Sequence, residues 1–485
     1  MEFRPTHNLL VVSDLHLGAD LKRTGFAWLR GVATLDREFG AFLEWYSGHQ
    51  EEGLPWRLIV NGDMVDFINI TMLPADDEAR AGGFEVTEAE RRFGLSGEEA
   101  KVAWMLGRIV DRHRGLFEKL AAFIARGHEV AIVRGNHDVE FHWPAVQARF
   151  RELLAGVAGV AGAEREAFLA RVTFLPWFYY EPGTIFVEHG NQYDDYSSFE
   201  YVLAPVAPSR PHEVDLPLSH FAIRYLANAF QNISTHDKDG WSLLDYFRFA
   251  ASGKAGSVSG LFAGYTSMLA RVGQAFVSRK WSGSSPQRIA HRGALARLAG
   301  EWRLPEELLV RLERLHRGGA IRSLFQTAQC FYVDRFALIG GGLVLASVLL
   351  AALNLSTLAF ALAALSLAMV VAGDRILARA RHAEIPPKLA RAGHSVAALL
   401  GVPLVVMGHS HHACEVRHPE SGEVRYVNTG TWIPPHGEDA LGFTHLRVRR
   451  NAGVAAADGG RVQLDAELRR WNPRATAPER LKPGP

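Results

Sequence analysis

An aspartate and a histidine lie two residues apart in the stretch VVSDLHLG, where an apolar run near the N-terminus ends. Side chains alternate along an extended chain, so Asp14 and His16 point to one side and Leu15 to the other. Both polar side chains could therefore bind one metal ion. A turn residue and a surface histidine are the ordinary alternative at a strand end, so other motifs must decide between the two interpretations.

Four more apolar runs end in polar, glycine-containing loops: WRLIVNGDMVDF, HEVAIVRGNHD, TIFVEHGNQYD and VPLVVMGHSHH. Each run predicts a buried strand with a loop at its carboxyl end. Carboxylate, imidazole and amide ligands together suit Mn, Fe or Zn better than Ca or a structural Zn site. If Asp63 bridges two ions and His137 stays off the metals, each ion has four protein ligands. The candidate ligands are Asp14, His16, Asp63, Asn136, His189, His409 and His411.

In this order, SDLHLG, NGDMVD, GNHD, EHG and GHSHH resemble the five signatures of the calcineurin-like metallophosphoesterase superfamily. The resemblance covers about residues 8–195 and 400–450. It implies a four-layer α/β/β/α sandwich that hydrolyses phosphoesters with two divalent ions, Mn²⁺ first, with Fe or Zn as alternatives. It assigns one ion to Asp14, His16, Asp63 and His411, and the other to Asp63, Asn136, His189 and His409.

The resemblance also implies roles around the two ions. A water shared by the ions would become the hydroxide that attacks phosphorus. His137 would face the phosphate and assist the leaving group, and Asp138 would orient its ring. Apart from the resemblance, Asn136 is a candidate for substrate contact, and the nearby Arg134 could reach a phosphate as a bidentate clamp or, alternatively, be an ordinary surface arginine. Asp66 is expected to support its own turn or a ligand histidine.

The order of the elements predicts an α/β fold whose core is built from two parts of the chain. The first part covers residues 1–195 and the second covers residues 375–472. Between them lie a helical insertion or lid, residues 196–335, and a hydrophobic helical hairpin, residues 336–374. The proline-rich end, residues 473–485, is expected to form a flexible tail.

No charged residue occurs in the segment 337–373, which is long for the core of a soluble domain. Two helical arms that turn near Asn354 would each be about 25 Å long. His189 precedes the segment and His409 follows it, so one active site requires the chain to return to the side it left. Flanking arginines favour the cytoplasmic side for both ends. We therefore expect a hairpin anchor in the cytoplasmic membrane, or, alternatively, a buried hairpin in a soluble domain.

The 53 basic and 52 acidic residues balance, which argues against a stable nucleic-acid partner. The stretch HGNQYDDY resembles UDP-2,3-diacylglucosamine hydrolases locally, so a lipid-linked phosphate or pyrophosphate is one candidate substrate. A soluble nucleotide phosphodiesterase or nuclease, a protein phosphatase and a non-catalytic metal-bound scaffold remain as alternatives. Four further histidines are expected at the surface or behind the ligands: His142, His220, His236 and His412.

Overall fold

Two β-sheets form the centre of the computed structural model. The structure describes residues 6–22, 29–225, 227–229, 258–282, 285–319, 327, 333–381, 385–419, 422, 425–435, 441–450 and 465–481. The strands of the first sheet are β1 (Asn8–Val12), β2 (Trp56–Asn61), β3 (Glu129–Val133), β4 (Val172–Leu175), β12 (Thr444–Arg449), β13 (Asp465–Asn472) and β14 (Ala477–Arg480). Those of the second are β5 (Phe178–Glu181), β6 (Ile185–Glu188), β9 (Leu404–Met407), β10 (Cys414–Arg417) and β11 (Arg425–Asn428). A separate two-stranded hairpin contains β7 (Val206–Ala207) and β8 (Arg210–Val214).

The chain leaves each sheet and returns to it. The order of the first sheet is β14-β13-β12-β1-β2-β3-β4, so β12, which follows the long insertion, pairs with β1. The order of the second sheet is β10-β11-β9-β6-β5, with β9 parallel to β6. Both sheets therefore contain strands from the second part of the core.

Helices account for most of the remaining described chain. They are α1 (Leu29–Gly48), α2 (Asp76–Ala81), α3 (Glu88–Phe93), α4 (Glu99–Arg112), α5 (Arg114–Ala125), α6 (Pro144–Ala158), α7 (Gly162–Ala170), α8 (Leu218–Tyr225), α9 (Val258–Ser282), α10 (Ser285–Trp302), α11 (Glu306–Glu313), α12 (Val333–Ala352), α13 (Thr357–Arg381) and α14 (Ile385–Leu400). Short 3₁₀ helices cover Val139–His142, Asn191–Tyr193 and Ala227–Ala229.

The core has four layers. The strands are nearly continuous apolar runs because both of their faces are covered. Val11 and Val406 belong to the apolar cluster that fills the space between the sheets. On the outer face of the first sheet, Leu10 shares a cluster with Phe117 of α5. On the outer face of the second, Val405 shares a cluster with Val396 of α14. This arrangement fits the predicted α/β/β/α sandwich.

The apolar segment forms helices α12 and α13, which pack against each other. Asn354 and Leu355 in the turn between them have positive φ angles of 49° and 54°, and the Ser356 hydroxyl accepts a hydrogen bond from the Ala359 amide at the start of α13. A Cβ at Gly342 would collide with Val370, so the two backbones approach closely at this glycine. The turn therefore lies where the sequence predicts it.

No helix among the described residues combines the length and the hydropathy that crossing a membrane requires. At about 1.5 Å per residue, the charge-free parts of α12 and α13 are about 24 and about 26 Å long, against a hydrocarbon core of about 30 Å. The prediction of transmembrane helices is therefore not supported.

The C-terminal end differs from its prediction. Residues 477–480 are not a loose tail but the edge strand β14, which pairs antiparallel with β13. The Asn472 side chain explains the turn, because its Oδ1 accepts hydrogen bonds from the amides of Arg474 and Ala475. Residues 482–485 lie outside the described residues, as do much of the insertion and His236.

Candidate metal centre

Every predicted ligand follows the carboxyl end of a strand. Asp14 and His16 follow β1, Asp63 follows β2, and Asn136 follows β3, all in the first sheet. From the second sheet, His189 follows β6, and His409 and His411 follow β9. Loops from both sheets therefore meet at one edge of the sandwich and bring all seven side chains together.

Five of the seven ligand candidates have a backbone conformation that L-residues rarely adopt. Their φ angles lie between 49° and 66°, in the left-handed region. Such conformations cost about 1 kcal/mol or more each and persist where the surrounding structure holds them, most often at functional sites. The five are Asp14, His16, Asp63, His409 and His411.

Two glycines allow these loops to approach one another. A Cβ at Gly62 would collide with the imidazole of His189, and a Cβ at Gly135 would collide with the Asp63 carboxylate. Any larger residue at either position would displace a predicted ligand. The glycines of the NGD and GNH motifs are therefore required by the site itself.

One group of potential ligands contains Asp14, His16 and His411. His411 Nε2 lies 3.2 Å from both Asp14 Oδ1 and His16 Nε2. His16 Nε2 is 3.9 Å from Asp63 Oδ2, so the Asp63 carboxylate borders this group. Asp14 and His16 are buried, and His411 is partly exposed.

A second group contains Asp63, His189 and His409. His189 Nε2 lies 3.1 Å from Asp63 Oδ2 and 3.1 Å from Asn136 Oδ1. The other nitrogen of this ring, Nδ1, lies 2.9 Å from the Asn61 carbonyl oxygen, which leaves Nε2 to face the site. Asp63 borders both groups, as a bridging ligand must.

These side chains fit two divalent ions. Nitrogen and oxygen atoms that ordinarily bind cations face one another at 3.1–3.9 Å, and Asp14 Oδ1 is buried without a hydrogen bond among the described residues. Three types of donor, carboxylate, imidazole and amide oxygen, suit Mn, Fe or Zn. Asp14, His16, Asp63 and His411 would hold one ion, and Asp63, Asn136, His189 and His409 the other.

The electrostatics of the site also favour cations. Burial alone would raise the pKa of the Asp63 carboxyl, but His189 and His137 hold it far below its ordinary value. His411 and His16 have the same effect on the pKa of Asp14 against the effect of burial. Burial would lower the pKa of His189, but Asp63 and Asp14 raise it to about 9. The carboxylates therefore attract positive charge, and a metal ion would replace protons at these histidines.

The histidine that the resemblance assigns to the phosphate is oriented by Asp66, not by Asp138. His137 Nδ1 lies 3.0 Å from Asp66 Oδ1, and the other oxygen of Asp66 lies 3.2 Å from His16 Nδ1. Asp138 instead accepts hydrogen bonds from the amides of Gly135 (2.6 Å) and Met64 (2.9 Å). The prediction that Asp138 orients the ring was wrong, and the expected support of a ligand histidine by Asp66 is confirmed.

Arg134 is buried beneath the insertion. Its guanidinium donates a hydrogen bond to the Val202 carbonyl, and its second nitrogen lies 3.4 Å from His142 Nδ1. Burial lowers the pKa of Arg134 to about 10. The contact with Val202 joins the core to the insertion, and the phosphate contact of Arg134 stays a prediction.

Two further buried residues contact the site: Asp194, which has no predicted role, and His220, which the sequence predicts at the surface or behind the ligands. Asp194 Oδ2 lies 3.0 Å from His409 Nε2, so Asp194 can orient that ligand histidine. His220, on α8, lies 3.5 Å from Asn136 Nδ2, and its ring centroid is 5.1 Å from that of His137. Burial lowers the pKa of His220 to about 3. Asp194 lies four residues after the EHG motif, so its position in the sequence could have indicated a contact with the site. His220 is distant from every motif, and it reaches the site only because α8 packs on the core.

A comparison with family models agrees with this geometry. The model of the calcineurin-like phosphoesterase family matches residues 7–239. The protein is therefore a metal-dependent phosphoester hydrolase. The matched range ends before β9, yet the structure brings His409 and His411 into the same site. No curated protein matches the chain, and the local similarity to UDP-2,3-diacylglucosamine hydrolases stays a prediction from the motif.

Proposed function

We propose that this phosphoesterase hydrolyses a phosphoester or pyrophosphate bond of a lipid-linked substrate at the surface of a membrane. When bound, two divalent ions, Mn²⁺ first, supply water activation and neutralise charge on the phosphoryl oxygens.

His137 is the candidate proton donor for the leaving oxygen. Its Nδ1 is bonded to Asp66, which leaves Nε2 to carry the transferred proton. Burial opposes the charged ring, but Asp66 and Asp63 raise the pKa of His137 and so favour the imidazolium form. A positively charged ring beside the phosphate would also stabilise the developing negative charge. Asn136 and Arg134 are the other candidates for substrate contact.

The hairpin of α12 and α13 is the observation that carries the membrane proposal. Small side chains fill the contact between the two helices, where Ala346, Ala359 and Ser366 are buried. Large apolar side chains face outward, with Val344 64% and Leu358 60% exposed. Helices in lipid pack through small residues and expose large apolar ones, whereas a contiguous apolar surface of this kind is rare in water.

The chain on each side of the hairpin contacts elements close to the metal centre. Val333, at the start of α12, packs against an apolar cluster that includes Ile68 and Phe221, and Ile68 is two residues from Asp66. Beyond α13, Lys388 of α14 lies 3.3 Å from Asp195, and Leu389 lies beside Gly190, next to His189. A hairpin that enters the lipid without crossing it would hold the site close to the bilayer surface. The flanking arginines favour the cytoplasmic face.

A substrate panel tests the proposal. Full-length protein with Mn²⁺ would be given phosphatidic acid and a lipid pyrophosphate in vesicles, together with p-nitrophenyl phosphate, bis(p-nitrophenyl) phosphate, single-stranded DNA and a phosphopeptide, with Asp63→Asn as the inactive control. We expect kcat/KM to be at least tenfold higher for a vesicle-borne substrate than for any soluble one. Preference for bis(p-nitrophenyl) phosphate, DNA or the phosphopeptide would contradict the proposal and favour one of the alternative classes.

A further inference from the structure

Three buried polar residues attach the insertion to the core. His220, Arg224 and Asn228 recur every four residues along α8 and the 3₁₀ helix that follows it. His220 and Arg224, four residues apart, therefore share one face of α8. The Arg224 guanidinium donates to the Gly94 carbonyl at 2.9 Å, and the Asn228 amide donates to the Ile68 carbonyl at 2.8 Å. The first member, His220, reaches the metal centre itself.

His220 contacts the nitrogen end of the Asn136 amide. The oxygen end, Oδ1, faces His189 Nε2 at 3.1 Å, while Nδ2 lies 3.5 Å from His220 Nε2, a long hydrogen bond. The amide nitrogen can only donate, so His220 Nε2 is the acceptor. This contact determines which end of the amide faces the ligand cluster, because a rotation of 180° would place NH₂ hydrogens where a metal ligand is needed.

The same ring also lies against His137. The ring centroids of His220 and His137 are 5.1 Å apart at an interplanar angle of 67°, an edge contact. His220 is 1% exposed, so its ring is held on all sides. One side chain of the insertion therefore touches both a candidate metal ligand and the candidate proton donor.

We propose that His220 is a positioning residue that holds the Asn136 amide with its oxygen toward the second metal position, so that docking of the insertion helix completes the site. The proposal rests on the metal centre and not on a lipid substrate. A residue that orients a metal ligand commonly changes metal affinity by about 10–100-fold. We expect an effect of that size on one of the two ions.

Three variants separate this role from simple packing. His220→Phe keeps an aromatic ring against His137 but removes the acceptor. His220→Gln returns an acceptor oxygen on a flexible side chain. Asn228→Ala removes an attachment of the insertion eight residues away without touching Asn136. Mn²⁺ binding by equilibrium dialysis, and hydrogen exchange of residues 218–225, would be measured for the full-length protein and each variant.

We expect His220→Phe to bind one Mn²⁺ at least tenfold more weakly than the unmodified protein, with exchange of residues 218–225 unchanged. His220→Gln should recover most of the affinity, and Asn228→Ala should bind two Mn²⁺ normally while exchange becomes faster. The proposal is overturned if His220→Phe binds both ions normally, or if all three variants weaken binding equally. The experiment measures only metal binding. A negative result would therefore refute the role of His220 without bearing on the proposed lipid substrate.

Discussion

The metal centre and the hairpin of α12 and α13 depart from ordinary burial in opposite directions. The centre buries carboxylates and imidazoles, and five of its residues have left-handed backbone. The hairpin buries alanines and a serine and exposes leucine, valine and phenylalanine side chains. Neither arrangement is favourable for a chain surrounded by water alone.

The two regions differ in what would offset the free-energy cost of burying charged groups in one and of exposing apolar side chains in the other. Buried acids and histidines at the strand ends are stabilised by cations, and the chain supplies the ligands for them. Large apolar side chains on a two-helix hairpin are stabilised only by an apolar surrounding, which the described chain does not supply. We therefore propose two external components, metal ions and a lipid surface, and each can be removed separately.

The largest effect is expected at the residue shared by both metal positions. Asp63→Ala removes the carboxylate that borders both ligand groups and should reduce kcat by about 10⁴-fold or more. Metal content measured on the purified variant should fall from two ions to one or none. Two tightly bound ions in an Asp63→Ala protein would show that the bridge is assigned wrongly.

His137→Ala should separate chemistry from metal binding. We expect kcat to fall by about 10²–10⁴-fold while two ions stay bound, because general acid catalysis by one side chain contributes about this much. The decrease in kcat should be smaller for p-nitrophenyl phosphate, which has a good leaving group, than for a phosphate ester of an alkyl alcohol. Equal losses for both substrates would argue against a role in protonating the leaving oxygen.

A glycine pair tests how tightly the centre is packed. Gly135→Ala would place a methyl group against the Asp63 carboxylate, so activity should fall by about 10²-fold and metal content should drop. Gly156→Ala, inside α6, has open space around it and should stabilise the helix by about 0.5–1 kcal/mol without loss of activity. Equal activity in the two variants would mean that the loops at the centre can move apart.

The proximity of the seven candidate ligands could be predicted because each of them is local to a strand end. The apolar runs locate the strands, and parallel strands bring their carboxyl ends to one edge. The error over Asp138 has a local cause as well. Asp138 is next to His137 in sequence, but it turns back to the amides of Gly135 and Met64, and Asp66 reaches the ring from a different loop.

Contacts made by the insertion could not be predicted. His220 is 84 residues from Asn136, and no motif surrounds it. Its position depends on how α8 packs on the core, which involves Arg224 and Asn228 as well as apolar side chains. The edge strand β14 was missed because its proline-rich surroundings indicate a loose end, while the turn that forms it depends on one asparagine side chain.

A smaller effect is expected from Glu140, a buried acid on the 3₁₀ helix after the GNHD motif. Burial, with Asp138 and Asp66 nearby, raises the pKa of Glu140 to about 8, so the folded protein favours the protonated acid. The raised pKa of Glu140 makes its full contribution to the free energy of unfolding below a pH of about 4.5. This contribution is lost as the pH rises through about 8.

Glu140→Gln mimics the protonated acid at every pH. Thermal unfolding should therefore show little difference from the unmodified protein at pH 5 and a more stable variant at pH 9, by at most about 5 kcal/mol. Glu118→Gln, an exposed site on α5, is the control and should show no such trend. A constant difference across this pH range would contradict the assignment of a buried neutral acid.

The central claim is that the hairpin brings the metal centre to a lipid surface, and one ratio tests it most directly. The ratio is the hydrolysis rate for the best vesicle-borne phosphoester of the panel divided by that for p-nitrophenyl phosphate. It would be measured for Val344→Asp, on the hairpin, and for Ile289→Asp, an equally exposed apolar site on α10, 69% exposed. We predict that Val344→Asp lowers the ratio at least tenfold with an unchanged rate on p-nitrophenyl phosphate, and that Ile289→Asp leaves both rates as they are. An unchanged ratio in Val344→Asp would contradict the account.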